Sequence, residues 1–174
     1  MYRRFSLIFL FLGFLPLMFS CGGDDKMNIG GSEATVERGM MQAESPNFVT
    51  AVETIDQGGQ LKSEFQTEAI GIRVRILNKS NNEQHLMFQD GKRAKIEIFK
   101  EGSLVWSTDD LVSIQSIEEE HLRPKDEMKF ELMWNKLKSD GRVAEPGMYR
   151  IKIADVRAQP KLPVPQNVLE FEIR

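Results

Sequence analysis

The chain has 174 residues, of which 41% are hydrophobic, and its 26 acidic and 23 basic side chains give a net charge of −3. This balance argues against nucleic acid as a partner, because phosphate binding requires a concentrated basic surface. The length is sufficient for one hydrophobic core and hardly for two.

Residues 1–20 have the layout of a cleaved export signal. Arg3 and Arg4 are followed by an uncharged, apolar run over residues 5–20, and the only cysteine of the chain, Cys21, comes next. The run has 16 residues, fewer than the roughly 20 that a membrane-spanning helix needs. A cleaved signal is therefore favoured over a retained anchor, over twin-arginine export and over a buried core thiol at Cys21.

The junction at Cys21 resembles the lipobox of bacterial lipoproteins, in which the thiol receives diacylglycerol and the cysteine becomes the first residue. Ser20 supplies the small residue before the cysteine and Met18 fits acceptably, whereas Phe19 departs from the usual pattern. The resemblance implies cleavage between Ser20 and Cys21, and acyl chains such as palmitate on Cys21. It also implies a place in the cell envelope, on a bacterial membrane, either periplasmic or surface-exposed.

The segment after the cysteine is predicted to be a flexible spacer. It is rich in Gly, Asp, Glu, Ser, Met and Asn and has no period of 2 or 3.6, so it cannot bury enough apolar surface to offset its ordering entropy. The predicted organisation is a signal peptide over 1–20, a lipidated cysteine and linker over 21–47, and one folded domain over 48–174. Once Cys21 is acylated, no thiol remains for a disulfide or a metal.

From residue 48 onward, apolar side chains recur at every second position, which is typical of half-buried strands. The clearest example is the run in which Ile70, Ile72, Val74 and Ile76 share one face. Strands are predicted over 48–55, 70–76, 86–88, 96–99, 104–107, 128–134, 149–153 and 168–173, with a hairpin turn at 101–103. Residues 108–121 are compatible with an irregular strand or one short helical turn.

This pattern predicts an all-β fold, an immunoglobulin-like antiparallel β-sandwich of about seven to nine strands. Several segments resemble, in family order, the BsuPI-type intracellular proteinase inhibitor domain of bacteria; they are 74–80, 86–91, 96–107, 122–127 and 143–149. The resemblance covers about residues 70–156. It implies the same sandwich fold and a role in inhibiting a serine protease.

The aromatic and turn residues of these motifs have predicted structural roles. Trp106 and Trp134 are expected to fill the core between the sheets. Gly147, after Pro146, is expected to allow a positive φ, and the Tyr149 hydroxyl to find a main-chain partner at a corner.

The sequence predicts no enzyme activity, no cofactor and no metal. His85 and His121 are the only imidazoles, and His85, beside a polar turn, is interpreted as a surface or strand-edge residue. His121 follows three glutamates at 118–120, but successive side chains of a strand alternate between faces. A solvated acidic patch is therefore favoured over a metal site.

Two loops are candidates for binding a partner, because binding residues concentrate on loops. The loop over 135–145 clusters Lys136, Lys138 and Arg142. The loop over 157–167 contains the candidate binding residues Pro160, Lys161, Leu162, Pro163, Val164 and Pro165. Its prolines keep it extended, as a substrate-like inhibitor requires, but a plain crossover between the last two strands is the favoured interpretation.

Two hypotheses follow for the function. The first is a membrane-anchored lipoprotein whose sandwich binds and inhibits a proteinase of the subtilisin type in the cell envelope. The alternative is a structural or interaction lipoprotein that binds another envelope protein and inhibits no protease. The location implied by Cys21 and the intracellular target implied by the family resemblance point to different compartments.

Overall fold

The computed structural model describes residues 39–89, 91–112 and 116–174, and these confirm the all-β prediction. The strands are β1 (Met40–Glu44), β2 (Phe48–Ile55), β3 (Glu64–Phe65), β4 (Ile70–Asn78), β5 (Gln84–Phe88), β6 (Ala94–Lys100), β7 (Ser103–Ser107), β8 (Glu118–Leu122), β9 (Glu127–Trp134), β10 (Gly147–Val156), β11 (Ala158–Gln159) and β12 (Leu169–Ile173). A 3₁₀ turn, Thr108–Asp110, follows β7.

The strands form three sheets. Their orders are β1-β2-β4-β9, β3-β12-β10-β6-β7 and β11-β5-β8, and the pairings are antiparallel except for β3 beside β12. The inward side chains of the two larger sheets form one buried hydrophobic cluster, which confirms the predicted sandwich. The strands outnumber the prediction because β3 and β11 have only two residues each, and β1 and β8 lack apolar alternation.

Strand β1 lies inside the segment that the sequence assigns to the linker. It pairs with β2 over five positions, from Met40 opposite Glu53 to Glu44 opposite Val49, and the Met41 side chain is buried in the core. Main-chain hydrogen bonds, rather than an apolar period, hold this strand in the sheet. The folded part therefore begins before residue 48, and the predicted signal and the linker up to residue 38 lie outside the described residues.

The sequence leaves open whether the segment over 108–121 is a strand or a short helical turn, and the structure contains one of each. Ser107 begins the 3₁₀ turn, because its hydroxyl accepts a hydrogen bond from the Asp109 main-chain N–H. Residues 118–121 then belong to β8, and residues 113–115 lie outside the described part of the chain.

Aromatic side chains fill the end of the core near the start of β10. Trp134 is 1% exposed, and its ring centroid lies 6.2 Å from Trp106, 5.9 Å from Tyr149 and 6.2 Å from Phe171. Such edge-to-face and tilted contacts add to the burial of the rings. The predicted core role of both tryptophans is confirmed.

The predicted turn residues also take the expected conformations. Gly147 has φ +138°, and Glu101 and Gly102 both have positive φ in the hairpin between β6 and β7, as the turn that matches strand twist requires. The Tyr149 hydroxyl donates to the Glu145 carbonyl oxygen at 2.6 Å. This bond joins β10 to the preceding loop, as predicted for a corner tyrosine.

A buried amide at the end of β4 organises the opposite end of the sandwich. The Asn78 side chain is fully buried, and its Nδ2 donates to the carbonyl oxygens of Asn82 at 2.8 Å, Leu122 at 2.9 Å and Arg123 at 3.2 Å. Its Oδ1 accepts from the main-chain N–H and the hydroxyl of Ser80. One side chain thereby fixes the β4–β5 turn against the end of β8.

We expect Asn78→Ala to lower the free energy of unfolding by about 2–4 kcal/mol, because it leaves buried carbonyl groups without a donor. Urea unfolding measures the change. The control is Asn81→Ala in the same turn, whose exposed side chain predicts a change within about 0.5 kcal/mol. Equal losses in the two variants would contradict the assigned role of Asn78.

Candidate functional site

The Pro-rich segment, residues 160–165, follows β11 and combines buried and exposed side chains. Leu162 is 3% exposed and belongs to the core, Pro165 is buried, and Pro163 and Val164 are half-buried. Pro160 and Lys161 are exposed. The segment is therefore the crossover toward β12. It also presents the exposed Lys161 to solvent, because the residues that follow Lys161 are packed against the core.

Strand β11 lies within the predicted loop 157–167, and it is an edge strand of its sheet. Ala158 pairs with Phe88 and Gln159 with Met87 of β5. A cleft of 440 Å³ runs beside β11 and is lined in part by Gln89 and Lys161. An edge strand exposes main-chain groups that can pair with an extended partner chain.

Ion pairs fix the entry to the Pro-rich segment. Arg157 Nη2 lies 2.5 Å from Asp109 Oδ1, and Lys95 Nζ lies 3.0 Å from Asp109 Oδ2. The contact with Lys95, and to a smaller extent the contact with Arg157, lowers the pKa of Asp109 below its usual value. The Arg157 main-chain N–H also donates to the Arg93 carbonyl at 2.8 Å, so both side chain and backbone position the segment.

In the other candidate loop, 135–145, each of the three cations contacts a partner within the folded chain, and for Lys136 that partner is the carbonyl of Gln66 outside the loop. Lys136 is 8% exposed and its Nζ donates to a main-chain carbonyl at 2.6 Å. Lys138 lies 2.8 Å from Glu145, and Arg142 lies 2.5 Å from Asp140. Lys138 lowers the pKa of Glu145, and Arg142 lowers that of Asp140. These charges order the loop instead of forming a concentrated basic surface.

The structure brings the two histidines together, which the sequence argument does not predict. His85 on β5 lies directly opposite His121 on β8, and their ring centroids are 4.2 Å apart. Glu83 Oε1 lies 3.3 Å from His121 Nδ1 and 3.7 Å from His85 Nε2. All three side chains are exposed, in agreement with the surface position predicted for His85.

The glutamates before His121 have a different partner. Glu118 and Glu120 lie 2.5 Å and 3.0 Å from Arg93 Nη2, whereas His121 faces His85. The predicted alternation of side chains along this strand is thus observed. In the sequence, His121 has only its chain neighbours as visible partners, and its approach to His85 follows from the pairing of β8 with β5.

The lipidation and cleavage sites predicted at Cys21 and Ser20 lie outside the described residues. Within the residues that the structure describes, no helix has the length and apolar character needed to cross a membrane.

Comparison with known proteins identifies one family. A family model described as BsuPI, intracellular proteinase inhibitor, matches residues 58–160, and no curated protein matches the chain. Among solved structures, the β-glucosidase from Listeria innocua in complex with isofagomine is 15% identical over 71% of this chain, with a TM-score of 0.38. The same enzyme in complex with glucose is 17% identical over 70%, with a TM-score of 0.35. The chain spans 16% of the length of that enzyme.

We expect the ion pairs of Asp109 to contribute to stability at neutral pH and to weaken in acid. The pKa of Asp109 is lower in the folded chain than the roughly 3.9 of an unfolded chain. The ion pairs therefore make their full contribution to stability above about pH 4. This contribution is lost as the pH falls through the lower, folded pKa. Thermal unfolding should therefore depend less on pH below about pH 4 in Asp109→Asn than in the parent chain.

Salt provides the control for this comparison. Because Asp109 is partly exposed, 1 M NaCl should screen its ion pairs and reduce the difference between parent and variant. If the melting temperatures of the parent chain and of Asp109→Asn changed equally with pH in acid at low salt, the assigned role of Asp109 would be contradicted.

Proposed function

The chain belongs to the BsuPI family of intracellular proteinase inhibitors, and on this premise we propose that it inhibits a subtilisin-like protease in the cell envelope. We propose further that acyl chains on Cys21 anchor it to a bacterial membrane. The match to the inhibitor family carries the first part of the proposal, and the signal-like residues before Cys21 support the second.

The Pro-rich segment supports inhibition because it is ordered before any partner binds. Buried Leu162 and Pro165 attach it to the core on one side of Lys161, and the Arg157–Asp109 pair fixes it on the other. An ordered loop loses less conformational entropy on docking. We therefore propose that Lys161, with the adjoining edge of β11, contacts the protease.

The position of the N-terminal entry is consistent with a membrane anchor. Gly39 and Met148 line one cleft, so the chain enters the sandwich near the start of β10. The Pro-rich segment follows the other end of β10, whose ten residues span about 30 Å. Lys161 therefore lies toward the end of the sandwich that is remote from the point where the chain enters it.

We expect the purified full-length chain carrying Cys21→Ala, kept in detergent, to slow at least one member of a panel of subtilisin-like proteases at micromolar concentration. Cleavage of a chromogenic peptide measures residual protease activity. Inertness toward every member would remove the inhibitor proposal. Recovery of only a non-protease partner by crosslinking in the native envelope would then favour the interaction-lipoprotein alternative.

Lys161→Glu tests which surface binds. Charge reversal at a contact residue should weaken inhibition by about tenfold or more without lowering the melting temperature, because Lys161 is exposed. The matched control is Lys129→Glu on β9, an exposed lysine on a different sheet. If inhibition is present and the two variants weaken it equally, the assignment to the Pro-rich segment is wrong even though the inhibitor proposal stands.

We expect Cys21→Ala to abolish lipid attachment in bacterial cells. Metabolic palmitate labelling and intact mass should show acyl chains on the parent chain and none on the variant. The variant should also leave the membrane fraction, because several acyl chains on one residue account for durable anchoring. Unchanged mass and unchanged fractionation would contradict the lipoprotein proposal.

A further inference from the structure

We propose that Glu83, His85 and His121 form a binding site for a divalent transition-metal ion of the Zn²⁺ type. Each of these residues offers one ligand atom, and the three atoms lie within 4.8 Å of one another. The three side chains come from two strands and a turn, so the site depends on the fold and not on a local sequence motif.

The separations are close to those of a coordinated metal. Zinc bound tetrahedrally at about 2.0–2.1 Å from each ligand places neighbouring ligand atoms about 3.4 Å apart. Glu83 Oε1 lies 3.3 Å from His121 Nδ1 and 3.7 Å from His85 Nε2. The two imidazole nitrogens lie within 4.8 Å of each other, so side-chain shifts of about 1–1.5 Å bring all three ligand atoms into one coordination sphere.

The donor set selects the class of metal. Two imidazole nitrogens and one carboxylate oxygen suit Zn²⁺, Cu²⁺ or Ni²⁺, whereas Ca²⁺ and Mg²⁺ prefer oxygen ligands. Three protein ligands leave a fourth position for water or for a group from a partner. Because all three side chains are exposed, an ion can reach them directly from solvent.

The backbone around the site is already fixed. The antiparallel pairing of β5 with β8 sets His85 opposite His121. The Asn78 amide donates to the carbonyls of Asn82 and Leu122, which are the chain neighbours of Glu83 and His121. One buried side chain thus holds both parts of the site, and ligands positioned in this way bind metal with a smaller ordering cost.

The test uses the full-length chain with Cys21→Ala, which removes the only thiol, purified in detergent through a tag that contains no histidine. ZnCl₂ is titrated at pH 7.5 against a chromogenic chelator, and thermal unfolding is followed in parallel. We expect one Zn²⁺ per chain and, at about 100-fold excess over Kd, a rise in melting temperature of roughly 5 °C or more. MgCl₂ at the same concentration should produce neither effect.

Variants of the three ligands locate the ion. His85→Ala and His121→Ala should each weaken zinc binding at least about tenfold, and Glu83→Gln by a smaller factor. The matched control is Glu119→Gln. Glu119 is an exposed residue on β8 that lies opposite Met87 of β5, and this pair is the next one along the two strands that faces outward like the histidines. It should bind zinc as the parent chain does.

A second measurement does not depend on the variants. His85 and His121 are the only histidines of the chain, so zinc should shift both sets of imidazole ring resonances together in the NMR spectrum of the full-length Cys21→Ala chain. Absence of zinc binding by the parent chain would overturn the proposal. So would unshifted ring resonances, or a loss in Glu119→Gln equal to that in the histidine variants.

Discussion

The buried carboxamide of Asn78 joins segments of the chain that are far apart in sequence. It donates to main-chain carbonyls at both sides of the β5–β8 pair, which belongs to the smallest of the three sheets. Such groups are costly to bury without a partner, and a single amide satisfies several of them. The third sheet, which carries both β11 and the histidine pair, is held by this network and by the buried side chains of Leu86, Phe88 and Leu122.

The two ends of the sandwich are stabilised by different physical means. Near the start of β10, large rings pack around Trp134 and exclude water from the core. At the other end, hydrogen bonds of Asn78 and the ion pairs of Asp109 and Arg93 take over. The aromatic end is filled mainly by ring packing, with the Tyr149 hydroxyl bonded to a main-chain carbonyl. The polar end positions particular side chains, and the Pro-rich segment and the histidine pair lie there.

Apolar alternation in the sequence was sufficient to predict the strands with one buried face, such as β4, β6 and β10. Strand β2, which is buried on both faces, was predicted from its β-branched residues instead. It missed β1 and β8, because these strands join their sheets through main-chain pairing with few apolar side chains. The Pro-rich segment was predicted to be extended, but the burial of Leu162 depends on tertiary packing that no local pattern records. The contact between His85 and His121 likewise depends on the register of β5 against β8. This register cannot be derived from the sequence, because β8 has no alternation of apolar and polar residues.

The placement of β1 also determines how the domain responds to mechanical force. This strand is at the edge of its sheet, and the chain enters it at Gly39 and pairs with β2 over five positions. A pull exerted on the chain before Gly39, against a load held at the far end, acts along the strand axis. The ladder of hydrogen bonds between β1 and β2 is then sheared as a group and not opened one bond at a time, so β1 is oriented to resist being pulled out of its sheet.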